Sequence, residues 1–177
     1  THKGAFDNTW KTGLWIKFQQ AGLPLKLLRL LASLTDSVPA KVKVEDVLSE
    51  LLLLVKGIPQ GCPFSTLSFC MYIDELVAVL LGANCGVHLA TILVAALLFC
   101  DDILLLASSP EMLQQMLAIT ARYGMLWLLP FAPYPKSAVV VLGGFEQYSH
   151  TWWAFGNNPP LRTVNQMKLT GLWVSSD

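Results

Sequence analysis

The chain has 177 residues, of which 54% are hydrophobic and only 14% charged, and its formal net charge is zero. That charge content is well below the roughly 25% of an average soluble domain, and a neutral chain lacks the basic surplus that strong independent binding to nucleic acid requires. The start, Thr1-His2-Lys3-Gly4, has no apolar run of the secretory kind. The apolar stretches 64–81 and 89–107 contain Asp74-Glu75 and Asp101-Asp102. Neighbouring carboxylates are costly in a bilayer, so a buried core in an intracellular, cytoplasmic or nuclear protein is expected, with no membrane partner.

Thr9 to Ala21 is predicted as a helix bearing Trp10, Leu14 and Phe18 at fourfold spacing. Gly22-Leu23-Pro24 breaks it, and Leu25 to Leu34 reads as a second, mostly apolar helix. Lys41-Val42-Lys43-Val44-Glu45 alternates strictly, which predicts a half-buried strand with an antiparallel partner in Val47 to Val55. Gly57 to Pro63 holds two glycines and two prolines and is a loop. Phe64 to Leu80 follows as a helix with a polar stripe of Ser68, Tyr72 and Glu75.

Ile92 to Phe99 and Ile103 to Ala107 are strand-like runs on either side of the Asp pair, together a hairpin with Asp101 and Asp102 at its turn. Ser109-Pro110-Glu111 is a helix start, a capping hydroxyl followed by proline at the first helical position. That helix turns Leu113, Met116, Leu117 and Thr120 inward and ends near Gly124. Ala138 to Leu142 is a strand, residues 143–160 read as loop-rich, and Leu169 to Val174 as a last strand. The element order predicts an α+β domain over 1–177, an antiparallel sheet with helices packed on one face, with 143–177 as its loop-rich C-terminal part.

Cys62, Cys70, Cys85 and Cys100 lie in or beside apolar segments without a C-x-x-C pair, and His2, His88 and His150 are far apart. The pattern suggests buried reduced thiols rather than zinc or a disulfide framework. Charge is distributed unevenly. No Lys or Arg occurs between Lys56 and Arg122, while Asp74, Glu75, Asp101, Asp102 and Glu111 all fall there. An acidic centre between basic flanks suits a cation site.

The segment richest in chemistry is Phe99-Cys100-Asp101-Asp102. Adjacent carboxylates repel and are not buried without a counter-charge; a divalent cation is the usual reason for keeping them on a turn, although Asp-Asp is also an ordinary turn dipeptide. Read with Gly57-Ile58-Pro59-Gln60-Gly61, Ala5-Phe6-Asp7-Asn8, Pro135-Lys136-Ser137 and Lys168-Leu169-Thr170-Gly171-Leu172-Trp173, it belongs to an ordered set. Taken in chain order and at these spacings, the segments at Ala5, Gly57, Phe99, Pro135 and Lys168 resemble motifs A, B, C, D and the following element of the palm of non-LTR, LINE-type retrotransposon reverse transcriptases.

The resemblance implies a polymerase palm and RNA-directed DNA synthesis, a nucleotidyl transfer using Mg²⁺ or Mn²⁺ with RNA template, DNA primer and dNTPs as partners. It makes Asp101 the principal motif C metal ligand, Asp102 its neighbour, and Lys136 the group that protonates departing pyrophosphate. Phe6 becomes the bulky residue beneath the sugar that rejects a ribose 2′-hydroxyl, Gln60 a contact of the incoming nucleotide, and Gly61 a place where backbone approaches substrate.

The chain departs from the pattern in places. Six positions before Asp7, where the family has a metal-binding Asp, stands Thr1. Phe99-Cys100 replaces the commoner Tyr-Ala, and Met125 to Pro130 is apolar where relatives have basic residues. The family's finger and thumb segments are not recognisable, so the rest of a longer polyprotein is an expected partner. Apolar surface is expected around Trp127 to Phe131 and Trp152-Trp153. The expectation is a polymerase palm inactive as given; the alternatives are a catalytically dead relic serving as a binding or structural module, or a small membrane-associated protein.

Overall fold

The computed structural model describes residues 4–35, 38–54, 56–59, 61, 63–132, 134–143 and 145–176. The chain divides into two units, Gly4–Tyr72 and one built on Ile73–Asp177. The architecture is mixed α+β, with small sheets and helices, as the element order predicts.

The first unit begins with a four-residue helix α1 (Ala5–Asn8), then α2 (Lys11–Gln20) and α3 (Leu25–Thr35). Helix α2 ends in a Schellman turn: Gly22 is left-handed at φ 84°, and the Leu23 and Gly22 amides donate back to the Phe18 and Gln19 carbonyls. Leu14 and Phe18 are buried as their spacing predicts. Lys11 is buried too, because its ammonium donates to the Thr35 carbonyl at 2.6 Å and so caps the end of α3. Phe18 stacks on Phe64 with centroids 5.9 Å apart.

Four short strands follow: β1 (Val38–Ala40), β2 (Lys43–Val44), β3 (Val47–Leu48) and β4 (Leu52–Leu54). They form two separate antiparallel pairs, β1 with β4 and β2 with β3. The predicted half-buried strand at 41–45 is corrected here. Residues 41 to 48 are all exposed, Val44 and Val47 among them, because alternation specifies two faces but nothing among the described residues covers the apolar one.

Helix α4 (Pro63–Ile73) closes this unit and α5 (Glu75–Gly82) opens the second. The helix predicted from 64 to 80 is thus met by two consecutive helices, and Asp74 between them keeps a helical backbone at φ −55° and ψ −40°. The predicted polar stripe is also corrected: Ser68 and Tyr72 are fully buried, with Ser68 donating to the Phe64 carbonyl at 2.7 Å, so the hydroxyl is satisfied within its own helix. By length and composition the helical run Phe64–Gly82 is long and apolar enough to cross a membrane; Asp74 and Glu75 are exposed within it.

The second unit continues with hairpin β5 (Val87–Leu89) and β6 (Ile92–Val94), hairpin β7 (Ala96–Phe99) and β8 (Asp102–Leu105), and the long helix α6 (Pro110–Leu126). The apolar run 92–99 is therefore two strands with different partners, not one. Ser109 caps α6 as predicted, its hydroxyl accepting from the Met112 amide at 3.2 Å. Met116, Leu117 and Thr120 are buried.

Next come β9 (Val139–Val140), the short α7 (Phe145–Tyr148), β10 (Trp152–Phe155), β11 (Asn158–Val164), β12 (Gln166–Leu169) and β13 (Leu172–Ser175). The expectation of a loop-rich stretch from 143 fails. Strands β10 and β11 pair across it and β11 also pairs with β9, in parallel. Pro159 and Pro160 sit inside β11; composition suggested loop, but the segment is fixed by packing. Trp153, Phe155 and Leu161 join Leu117, Ala121, Phe131 and Val139 in one buried cluster. The Trp153 indole donates to the Thr163 hydroxyl at 3.0 Å, and the Gln114 side chain both donates to and accepts from the Ala154 backbone. The last predicted strand is a hairpin, β12 with β13.

Apolar exposure is only partly where it was expected. Leu128 and Trp152 are exposed, while Leu129, Phe131 and Trp153 are buried in the core. Larger apolar exposure lies in the first unit, at Val42 to Leu53 and along α3 at Leu25, Leu30 and Leu34.

Candidate functional site

Hairpin β7–β8 carries the Asp pair. Its register sets Ala96 opposite Leu105, Leu98 opposite Ile103 and Phe99 opposite Asp102, leaving Cys100-Asp101 as a two-residue loop. Such loops favour turns whose first central residue has positive φ; Cys100 fills that position at φ 53°. Strand alternation sorts the side chains. Ile103 and Leu105 pack on the cluster around Leu117 and Trp153. Asp102 therefore lies on the opposite face, with exposed Phe99 as its cross-strand neighbour. Asp101 and Asp102 are both half-buried. Two carboxylates are thus held at one hairpin tip, on a strand anchored by its other face.

Whether these residues suit a divalent ion depends on the donor set. Among the described residues, no group of three or more His, Cys, Asp or Glu is placed to hold a metal. Two adjacent carboxylates alone do not make a two-metal site, which needs ligands bridging both ions. The position of the further acid, Thr1, lies outside the described residues.

Lys136 lies exposed in the turn that leads into β9. Three residues on, Val139 is buried in the cluster that Ile103 and Leu105 pack against. The Lys136 turn and the Asp hairpin are therefore rooted in the same core.

The other predicted residues belong to the first unit. Phe6 is half-buried on α1, its ring 5.6 Å from that of the fully buried Phe69 on α4. The loop after β4 is tied to α1: the Gly57 amide donates to the Thr9 carbonyl at 3.1 Å and the Ile58 amide to the Phe6 carbonyl at 2.8 Å. Gly57 is left-handed at φ 81°, and a Cβ there would stand 2.8 Å from the carbonyl oxygens of both Phe6 and Asp7. Only glycine allows that approach. On the far side, the Ser65 hydroxyl of α4 donates to the Pro59 carbonyl at 2.5 Å. Gly61 is left-handed at φ 84° and exposed, and among the described residues no atom lies within 4 Å of where a Cβ would stand. Gln60 lies outside the described residues.

Motif order alone groups Phe6 with this loop; what joins them is visible only in the fold. The joining residues are Gly57, Ser65 and a bond from the Lys56 ammonium to the Asn8 side-chain oxygen at 2.9 Å. The glycine in Gly57-Ile58-Pro59-Gln60-Gly61 was the available signal. A shallow surface hollow of the second unit, lined by Glu111, Gln114, Ala118, Trp152 and Trp153, contains none of the predicted site residues.

A family model described as reverse transcriptase (RNA-dependent DNA polymerase) matches residues 2–168. No curated protein matches the chain.

Proposed function

The chain belongs to the reverse transcriptase family, and from that premise we propose that it is the palm of a retrotransposon RNA-directed DNA polymerase and that these 177 residues bind nucleotide without measurable primer extension. The family implies RNA template, DNA primer and nucleotides as ligands, and its members generally use divalent metal ions. The observation that carries the reading is the pair Asp101-Asp102 at a tight hairpin tip, with no third acidic or thiol ligand among the described residues. Retrotransposon origin is supported by the order of the motifs. In this reading residues 1–177 act as one palm-like domain inside the cell, whose complete activity belongs to a longer polyprotein.

Within this reading Asp101 and Asp102 supply the acidic half of a metal site, Phe6 and Gly61 shape the nucleotide pocket with Gln60, and Lys136 serves the leaving pyrophosphate. Losing a bridging carboxylate removes both charge stabilisation and alignment from phosphoryl transfer. No step is therefore assigned to this chain beyond binding.

The test is primer extension on an RNA template with Mn²⁺ by the unmodified chain and by Asp101→Ala, alongside binding of a fluorescent dNTP. Nucleotide binding without extension is expected. Template-dependent synthesis that Asp101→Ala abolishes would overturn the inactive reading, and absence of nucleotide binding would overturn the palm reading itself.

A further inference from the structure

Helix α1 is a single turn of four residues, too short to hold its own shape in water. Its place, and so the place of the Phe6 ring, is set by what clasps it. The clasp is the loop 56–58, joined to α1 and Thr9 by the Ile58–Phe6, Gly57–Thr9 and Lys56–Asn8 hydrogen bonds. Asn8 works in two directions: its amide nitrogen donates to the Gly4 carbonyl at 3.0 Å while its oxygen accepts from Lys56. Ile58, itself part of the clasp, is buried, and Gly57 allows the two backbones to meet.

We propose that Asn8, Lys56 and Gly57 are positioning residues for Phe6, setting how closely its ring approaches the sugar of a bound nucleotide. The inference rests on the nucleotide-binding reading above and names the residues through which this chain selects its sugar. Lys56 and Asn8 need not touch nucleotide. They act on the carbonyl end of α1, and the ring follows because Phe6 is both on that helix and bonded through its own carbonyl to the loop.

The experiment measures binding of a fluorescent 2′-deoxynucleoside triphosphate and its ribo counterpart to the full chain, with thermal melting recorded in parallel. The unmodified chain is expected to prefer the deoxy form, and Phe6→Ala to lose that preference. Lys56→Met should reduce the preference about fivefold, the net weight of one ordinary solvent-exposed hydrogen bond, and Lys56→Arg should restore it. Gly57→Ala should reduce it further. A Lys56→Met chain that keeps the full preference, whether or not its melting point falls, overturns the positioning role and leaves a purely structural tie. An unmodified chain that binds the two sugars equally overturns the assignment of Phe6 and the clasp with it. One that binds neither overturns the nucleotide-binding reading on which both depend.

Discussion

The Ile58 amide donates to the Phe6 carbonyl across 2.8 Å, joining residues 52 positions apart in the chain. The bond forms only because Gly57, the residue before Ile58, lies against the Phe6 and Asp7 carbonyls, where a side chain would collide. Gly57→Ala should therefore destabilise the first unit by about 1–3 kcal/mol, the range for left-handed strain on a residue with a Cβ. Urea unfolding measures the loss, and an unchanged midpoint would rule out the close approach.

The hairpin tip carries strain of its own. Cys100 is left-handed at φ 53°, a conformation that glycine adopts without steric penalty. Cys100→Gly should stabilise the chain by up to about 1 kcal/mol, since relief of strain exceeds the added freedom of the unfolded chain. Destabilisation on the same urea curve would show that the thiol contributes packing that outweighs the strain.

Asp101 and Asp102 form only part of a ligand set. Few charged ligands give weak sites, with dissociation constants of about 10⁻⁴–10⁻³ M. Titration with Mn²⁺ followed by electron paramagnetic resonance should give a value at or above that range, weakened further by Asp101→Asn. Micromolar binding that survives Asp101→Asn would place the ion elsewhere.

Helix α6 depends on its cap. Ser109→Ala removes the acceptor for the Met112 amide and should cost about 1 kcal/mol by urea unfolding. A loss under a few tenths would mean that water replaces the hydroxyl without penalty.

Burial pushes the Tyr72 phenol up to about 12, with a main-chain hydrogen bond to Trp10 pulling partly the other way. The folded value exceeds the unfolded one, near 10, so the folded chain holds this proton more tightly. The resulting stability is fully present below pH 10 and is lost as pH rises through 12. In an absorbance titration Tyr72 should give a late component near pH 12. Tyr72→Phe should delete that late component, and a late component that persists belongs to another tyrosine.

Patterns local in sequence determined much of this protein. The Ser109-Pro110 start of α6 and the Gly22-Leu23-Pro24 end of α2 were legible because caps and breakers act within a few residues. The hairpin that carries the Asp pair was legible because two apolar strands flank it at hairpin spacing, although its loop is Cys100-Asp101 and Asp102 already belongs to β8, and the family was legible because its motifs keep their order over 2–168. Tertiary structure alone decided the rest. Alternation at 41–45 says that one face is apolar, but only packing says whether anything covers it, and the strand is exposed. Pro159 and Pro160 read as loop until Trp153, Phe155 and Leu161 draw their neighbours into a buried cluster, since burial outweighs local propensity. The hold of Lys56, Gly57 and Ile58 on α1 lay beyond sequence for the same reason: a hydrogen bond between distant residues has no period and no spacing, and exists only once the backbone between them has folded.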